Sequence, residues 1–215
     1  MHDDKEHKVD TLLSQVKKYL YQKKEYDPSL ENVFSPAFCN RIDTNTSGIV
    51  IAAKNAEALR TMNEHIKNDE VKKYYLCVCE GVFEKKWETL NGYLVKDEIT
   101  NKVEIYKEPK EGSKKITTFY RVLEKKGNLT LLEVELLTGR SHQIRAHLAS
   151  IGHSIAGDIK YGHTSREFKS QALCSYKVKF KFPDDKPDMF DYLNGKTFQV
   201  PYVSFSNKFV VSKKG

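Results

Sequence analysis

Tyr176, Val178, Phe180 and Phe182 alternate with Lys177, Lys179 and Lys181, and this period of two constrains the chain more than any other pattern in it. Successive side chains of a strand point to opposite faces, so the segment belongs in a sheet with one face covered and one wet. Residues 71–79 are apolar on both faces and read as a central strand of such a sheet. Shorter strand patterns lie at residues 92–95, 102–106, 116–122 and 131–136. In the last of them Leu132, Val134 and Leu136 share one face, and Glu133 and Glu135 the other.

Helical periodicity occurs between these runs. Leu12, Val16 and Leu20 recur every four residues, Asp10 or Thr11 can cap their helix, and Pro28 lies past its end. The apolar run Gly48-Ile49-Val50-Ile51-Ala52-Ala53 reads as one short buried strand. Asn55 then caps a helix whose Leu59, Met62 and Ile66 form a stripe. Helices and strands neither alternate strictly nor segregate, which predicts an α+β fold with a mixed or antiparallel sheet.

At 215 residues the chain is long enough to bury a sizeable core. It has no run of about eighteen apolar residues, which excludes a membrane-spanning protein. Tyr and Phe are spread throughout, which excludes a wholly disordered one. Met1 to Val9 is charged, without the apolar centre of a secretory signal. Lys and Arg number 36 against 29 Asp and Glu, a net charge of +7. That excess fits an anionic partner, nucleic acid first, and equally fits ordinary solubility charge. Of the four cysteines only Cys77 and Cys79 are close, and one intervening residue on a strand puts both on one face. Zinc ligands are usually spaced wider, on turns, so reduced core thiols and a cytoplasmic location are the expectation.

Two segments look unlike scaffolding. Phe38-Cys39-Asn40-Arg41-Ile42-Asp43-Thr44-Asn45-Thr46-Ser47-Gly48 is a polar loop feeding directly into an apolar run, where catalytic side chains tend to sit. Leu137-Thr138-Gly139-Arg140-Ser141-His142-Gln143-Ile144-Arg145-Ala146-His147-Leu148 follows a strand and turns at Gly139. It then starts a helix, with Ser141 as the expected cap and Gly152 past the end. A helix N-terminus bearing Arg140, His142, Gln143 and Arg145 is an anion-binding surface, or else a capped turn with a solvated basic face.

Taken together these segments resemble a known family. Asn40-Arg41-Ile42-Asp43-x-x-Thr46-Ser47-Gly48 resembles the H-R-L-D-x-x-T-S-G signature of the RluA family of RNA pseudouridine synthases. The Thr138–Leu148 segment is similar to the family's T-G-R-x-H-Q-I-R-x-H-L, and Gly157-Asp158-Ile159-Lys160-Tyr161-Gly162 to its G-D-x-x-Y-G. Lys73 to Gly81 resembles K-x-Y-x-A-x-x-x-G, and Ala172-Leu173-Cys174-Ser175 falls where the family has Leu-His-Ala. Asn40 for His, Ile42 for Leu and Cys174-Ser175 for His-Ala are departures, and none removes an ionisable group that the reaction needs.

The resemblance implies a pseudouridine synthase fold: a central mixed, mainly antiparallel sheet flanked by helices and loops. It implies one catalytic domain over residues 1–215, truncated at the N-terminal strand, with an RNA-binding S4 domain often preceding it and Met1-His2-Asp3-Asp4 as the tail of that strand. The implied reaction isomerises specific uridines, most readily in bacterial 23S ribosomal RNA, by a monomer without cofactor, metal or membrane. Asp43 is implied as nucleophile, Arg145 as its guanidinium partner and Tyr75 as the stacking and proton-relaying aromatic. Arg41 is implied to fill the space of a flipped nucleotide and Leu173 to line the pocket, while Arg140, His142 and Gln143 face substrate. The alternatives are a catalytically weak RNA-binding or ribosome-assembly factor keeping the fold, and an unrelated hydrolase. The hydrolase would need a second acid beside Asp43. Glu80 and Asp158 lie near a motif, without an obvious partner in the sequence.

Overall fold

The structure, a computed structural model, describes residues 11–30 and 34–209. Asp10 and the segment Met1-His2-Asp3-Asp4 lie outside the described residues. The chain divides into two compact units, Met1–Arg41 with Val50–Lys67, and Ile42–Ile49 with Asn68–Gly215.

In the first unit, α1 (Leu12–Gln22) starts at Thr11. The Thr11 hydroxyl accepts from Ser14 N–H at 3.1 Å, and Ser14 Oγ accepts from Thr11 N–H at 2.9 Å. This reciprocal cap satisfies two of the donors that a helix start leaves open. The strands β1 (Ala37–Phe38) and β3 (Ala52–Ala53) pair antiparallel. Helix α2 (Ala56–Lys67) begins where Asn55 Oδ1 accepts from Ala58 N–H at 2.7 Å, as its sequence predicts.

The second unit is one eight-stranded sheet. Its strands are β2 (Ser47–Gly48), β4 (Val71–Glu80), β5 (Trp87–Asp97), β6 (Lys102–Tyr106), β7 (Lys114–Lys126), β8 (Leu129–Leu136), β9 (Leu173–Phe180) and β10 (Thr197–Gln199). The order is β10-β9-β4-β8-β7-β5-β6, antiparallel throughout, with β2 joining β9 in parallel. The mixed, mainly antiparallel α+β sheet is as the sequence predicts. So is the interior place of β4, whose doubly apolar run lies between β9 and β8.

Helix α3 (Gln143–Ser150) packs on one face, against β5, β6 and β7. On that side Tyr75, Cys77, Cys79, Leu132, Val134, Leu148 and Leu173 share one buried cluster. Cys77 and Cys79 are free thiols with their Sγ atoms 3.9 Å apart. Glu133, on the opposite face of β8, is buried yet ionised: it accepts from Arg121 at 2.8 Å and Lys177 at 3.1 Å. Those partners outweigh its burial and lower its pKa.

The structure differs from the sequence reading in one strand. The run at residues 48–53 is not a single strand. Ser47–Gly48 pairs with Cys174–Ser175 in the second unit, whereas Ala52–Ala53 pairs with β1 in the first. Its middle residues belong to neither ladder, so its hydrophobicity reports a crossing between two sheets.

Candidate active site

The Asp43 loop is shaped by its own backbone and by β9. Thr46 N–H donates to Asp43 C=O at 2.9 Å, closing a turn over Thr44 and Asn45. Asn45 sits at φ 66, a left-handed conformation that Asn tolerates. Gln171 Nε2 donates to Thr44 C=O at 2.5 Å and holds the turn from outside. Gly48 then lets the chain press against β9. Its φ is +115, and a Cβ there would lie 2.1 Å from the Ser175 carbonyl oxygen. Only glycine fits, because any side chain would meet backbone.

Arg145 comes from α3. Its side chain is 8% exposed, and Nη1 donates to Asp43 Oδ2 at 3.2 Å. The expected Asp43–Arg145 pair is therefore formed, with Asp43 at 22% exposure reaching solvent at the site's mouth. Arg145 has a second and closer partner. Nε donates to Asp158 Oδ2 at 2.7 Å and Nη2 to Asp158 Oδ1 at 2.9 Å, and the Asp158 side chain is 0% exposed. Burial alone would push the Asp158 carboxyl up. The Arg145 hydrogen bonds and charge, with the Lys160 and Tyr161 N–H groups, hold it below the usual value. Burial also opposes the Arg145 charge, and the two carboxylates more than restore it. Asp158 thus has a full set of partners and faces no solvent. It is not the spare acid that a hydrolase would need.

Tyr75 and Leu173 are buried in one apolar cluster beside this trio. Across β4 and β9, Tyr75 opposes Ser175, with a bulge between Tyr74 and Tyr75 that leaves Tyr176 without an opposite residue. A bulge of this kind re-aims a side chain at the edge of a site. Burial pushes the Tyr75 hydroxyl up to about 12; a hydrogen bond with Ser175 works against that, and the Asp43 charge adds to it. The phenol is neutral at pH 7.

The expected anion-binding helix start is corrected by the structure. Ser141 is not the cap: α3 begins one residue later, behind His142 at φ 55, which offers no side-chain cap bond. Gln143 is buried and its amide is used up within the protein. Its Oε1 accepts from Thr138 Oγ1 at 2.9 Å and from Arg140 N–H at 3.1 Å, and its Nε2 donates to Thr117 C=O and Thr118 Oγ1. Gln143 staples the loop to β7 and has no group left for substrate. His142 is half-buried, with Nδ1 2.8 Å from Tyr161 Oη; burial lowers its pKa while Asp43 pulls it up. Arg140 is exposed, and so is Arg41, the last residue of its segment in the first unit.

Sequence reading assigns no role to Tyr161, Gln171 or Ser175, and considers Asp158 only as the second acid of a hydrolase. Gly157 and Asp158 were legible as part of a motif. A Cβ at Gly157 would lie 2.4 Å from the Ser170 carbonyl oxygen, and its φ is +78. That close approach is the physical signal that Asp158 is being placed.

The sequence profile described as RNA pseudouridylate synthase matches residues 3–150 of this chain. The chain belongs to that family. Curated proteins similar to it include one named as an uncharacterised RNA pseudouridine synthase of Mycoplasma genitalium, 33% identical over 195 residues, 84% of this chain and 59% of that one. The ribosomal large subunit pseudouridine synthase C of Haemophilus ducreyi is 34% identical over 158 residues, 70% of this chain and 49% of its own. This family member thus spans about half the length of the curated relatives it matches. Among solved structures, human RNA pseudouridylate synthase domain containing 1 superposes with a TM-score of 0.61 at 26% identity. That match covers 72% of this chain and 70% of the human one.

Proposed function

We propose that this chain isomerises uridine to pseudouridine in RNA, with Asp43 as the reacting carboxylate. The observation that carries the reading is the Asp43 carboxylate itself. It is partly exposed at the end of a rigid turn and held by one guanidinium hydrogen bond, beside a buried aromatic.

Pseudouridylation breaks the N1–C1′ bond, turns the uracil and joins C5 to C1′. C5 then loses its proton and N1 gains one, so mass is unchanged. The Asp43 carboxylate supplies negative charge or a covalent bond while the base is detached. Arg145 holds Asp43 in place through one charge-assisted hydrogen bond. Tyr75 stacks on the turned base. With its hydroxyl pushed up to about 12 it relays a proton as a phenol, with Ser175 as its partner, and does not act as a standing phenolate. Leu173 lines the apolar side of the pocket. The uridine must leave its stack to reach these groups, and Arg140 is exposed to meet the RNA.

Large-subunit ribosomal RNA of a bacterium is the proposed substrate, on the strength of the printed names of the synthase C and synthase D relatives. The test is incubation of 23S ribosomal RNA lacking pseudouridine with the protein, followed by mapping of mass-neutral uridine conversion. Conversion at defined sites supports the reading. Binding without conversion leaves an RNA-binding factor, and conversion of transfer RNA alone overturns the ribosomal assignment.

A further inference from the structure

Asp158 takes no part in the bond changes above, yet it makes the shortest ionic contacts in the site. Its two oxygens are used differently. Oδ2 accepts only from Arg145 Nε, at 2.7 Å. Oδ1 accepts from Arg145 Nη2 at 2.9 Å and also from the N–H groups of Lys160 and Tyr161, at 3.0 and 3.3 Å. The flat guanidinium also lies over the Tyr161 ring, 5.2 Å from its centroid. One edge of Arg145 is therefore occupied by a carboxylate that is completely buried. The Nη1 end of the guanidinium projects beyond that clamp and donates to Asp43.

We infer that Asp158 is a positioning residue: by clamping the Nε–Nη2 edge of Arg145 it fixes the plane and position of the guanidinium, so that Nη1 meets Asp43 at one oxygen and leaves that carboxylate oriented but under-neutralised. The inference rests on Asp43 being the reacting carboxylate. A guanidinium released from Asp158 is free to turn and meet Asp43 through two parallel N–H bonds, which would tie up both oxygens of Asp43. With Asp158 in place the trio carries one net negative charge, and that charge faces the substrate on the Asp43 side. An oriented excess charge of this kind stabilises positive charge developing at C1′ without needing to reorganise.

The Asp158→Asn substitution separates clamp from turn. An amide oxygen at the Oδ1 position keeps the Lys160, Tyr161 and Nη2 bonds, while the amide nitrogen meets Nε–H donor to donor. In Asp158→Asn, kcat for uridine conversion is expected to fall by about 100-fold with KM within about threefold, as for a misplaced reacting group. In an Arg145→Lys background the same substitution is expected to cost less than about threefold, because there is no Nε–Nη2 edge to clamp. A kcat loss that multiplies in the double variant, a loss confined to KM, or an Asp158→Asn enzyme as fast as wild type each overturns the inference.

A second measurement needs neither activity nor an Asp158 variant. In proton–nitrogen NMR spectra the Arg145 Nε–H should be protected from solvent exchange in wild type and equally in Asp43→Asn, because its partner is Asp158. Rapid exchange in either overturns the clamp. Wild-type protein that binds RNA and converts no uridine would instead refute the proposed function, with the clamp still judged on that signal.

Discussion

Asp43 and Arg145 meet through one hydrogen bond of 3.2 Å, although 102 residues separate them in the chain. The relationship is asymmetric. Arg145 is nearly buried and doubly held by Asp158, whereas Asp43 is partly exposed and has Arg145 on one oxygen. A carboxylate that is fixed on one side and open on the other is what nucleophilic or charge-stabilising work requires.

Asp43→Asn should reduce pseudouridine formation to background while RNA affinity stays within about threefold, because the amide matches the carboxylate in shape and lacks its charge. Conversion assays and filter binding on one RNA measure the two effects. An Asn variant turning over at the wild-type rate would remove Asp43 from the chemistry.

Arg145→Met strands Asp158 in the interior and should cost about 3–5 kcal/mol of stability together with all activity. Arg145→Lys keeps a cation without the fork, so part of each should return. Urea unfolding of the three proteins at pH 7, beside their conversion rates, provides the comparison. Equal stability of Met and Lys variants would contradict a buried pair.

Tyr75→Phe keeps the ring and removes the hydroxyl. Turnover should fall by about 100-fold or more, the usual scale of a lost proton relay, with RNA binding little changed. In wild type the Tyr75 hydroxyl, at about 12, should contribute no ionisation to the rate profile below about pH 10. A basic limb near pH 8 that disappears in Tyr75→Phe would show the phenolate to be the working form.

His147 gives the fold an acid sensitivity. Its other ring N–H donates to the Asn91 carbonyl, so Nδ1 accepts from Thr118 Oγ1 at 3.0 Å, and the ring is held neutral. Burial lowers it from 6.5 to about 4. The unfolded chain therefore binds the extra proton first. This contribution is fully present above about pH 6.5 and is lost as pH falls towards 4, amounting to roughly 3 kcal/mol. Urea midpoints of wild type and His147→Gln between pH 7 and pH 4 should converge as the pH falls. Parallel pH dependences would assign the acid loss to other groups.

Gly48→Ala places a methyl group against the Ser175 carbonyl at a backbone angle of +115. The expected cost is at least about 2 kcal/mol, with β2 displaced from β9. Because β2 anchors the Asp43 turn, conversion should fall by about 100-fold even in the folded fraction. Thermal melts and single-turnover rates test this, and an unperturbed enzyme would mean that the loop is held from elsewhere.

Local patterning by itself determined the sheet-forming segments, the two capped helices of the first unit and the loop carrying Asp43. Period two in residues 176–182 and a doubly apolar run at 71–79 are properties of the chain before it folds, since they depend only on where successive side chains point. Arg145 and Tyr75 were marked by the resemblance of their segments to family motifs, each carried within a short stretch of chain. The tertiary structure decided what those elements meet. Strand order brings β2 against β9 and splits the apolar run at residues 48–53 between two sheets. Packing turned Gln143 inward, although a polar residue at a helix start looks solvent-facing from its neighbours alone. The pairing of Asp158 with Arg145 was equally hidden. A charge placed in the interior takes whichever counter-charge the fold brings within reach, and distance in space, unlike periodicity, is not written along the chain.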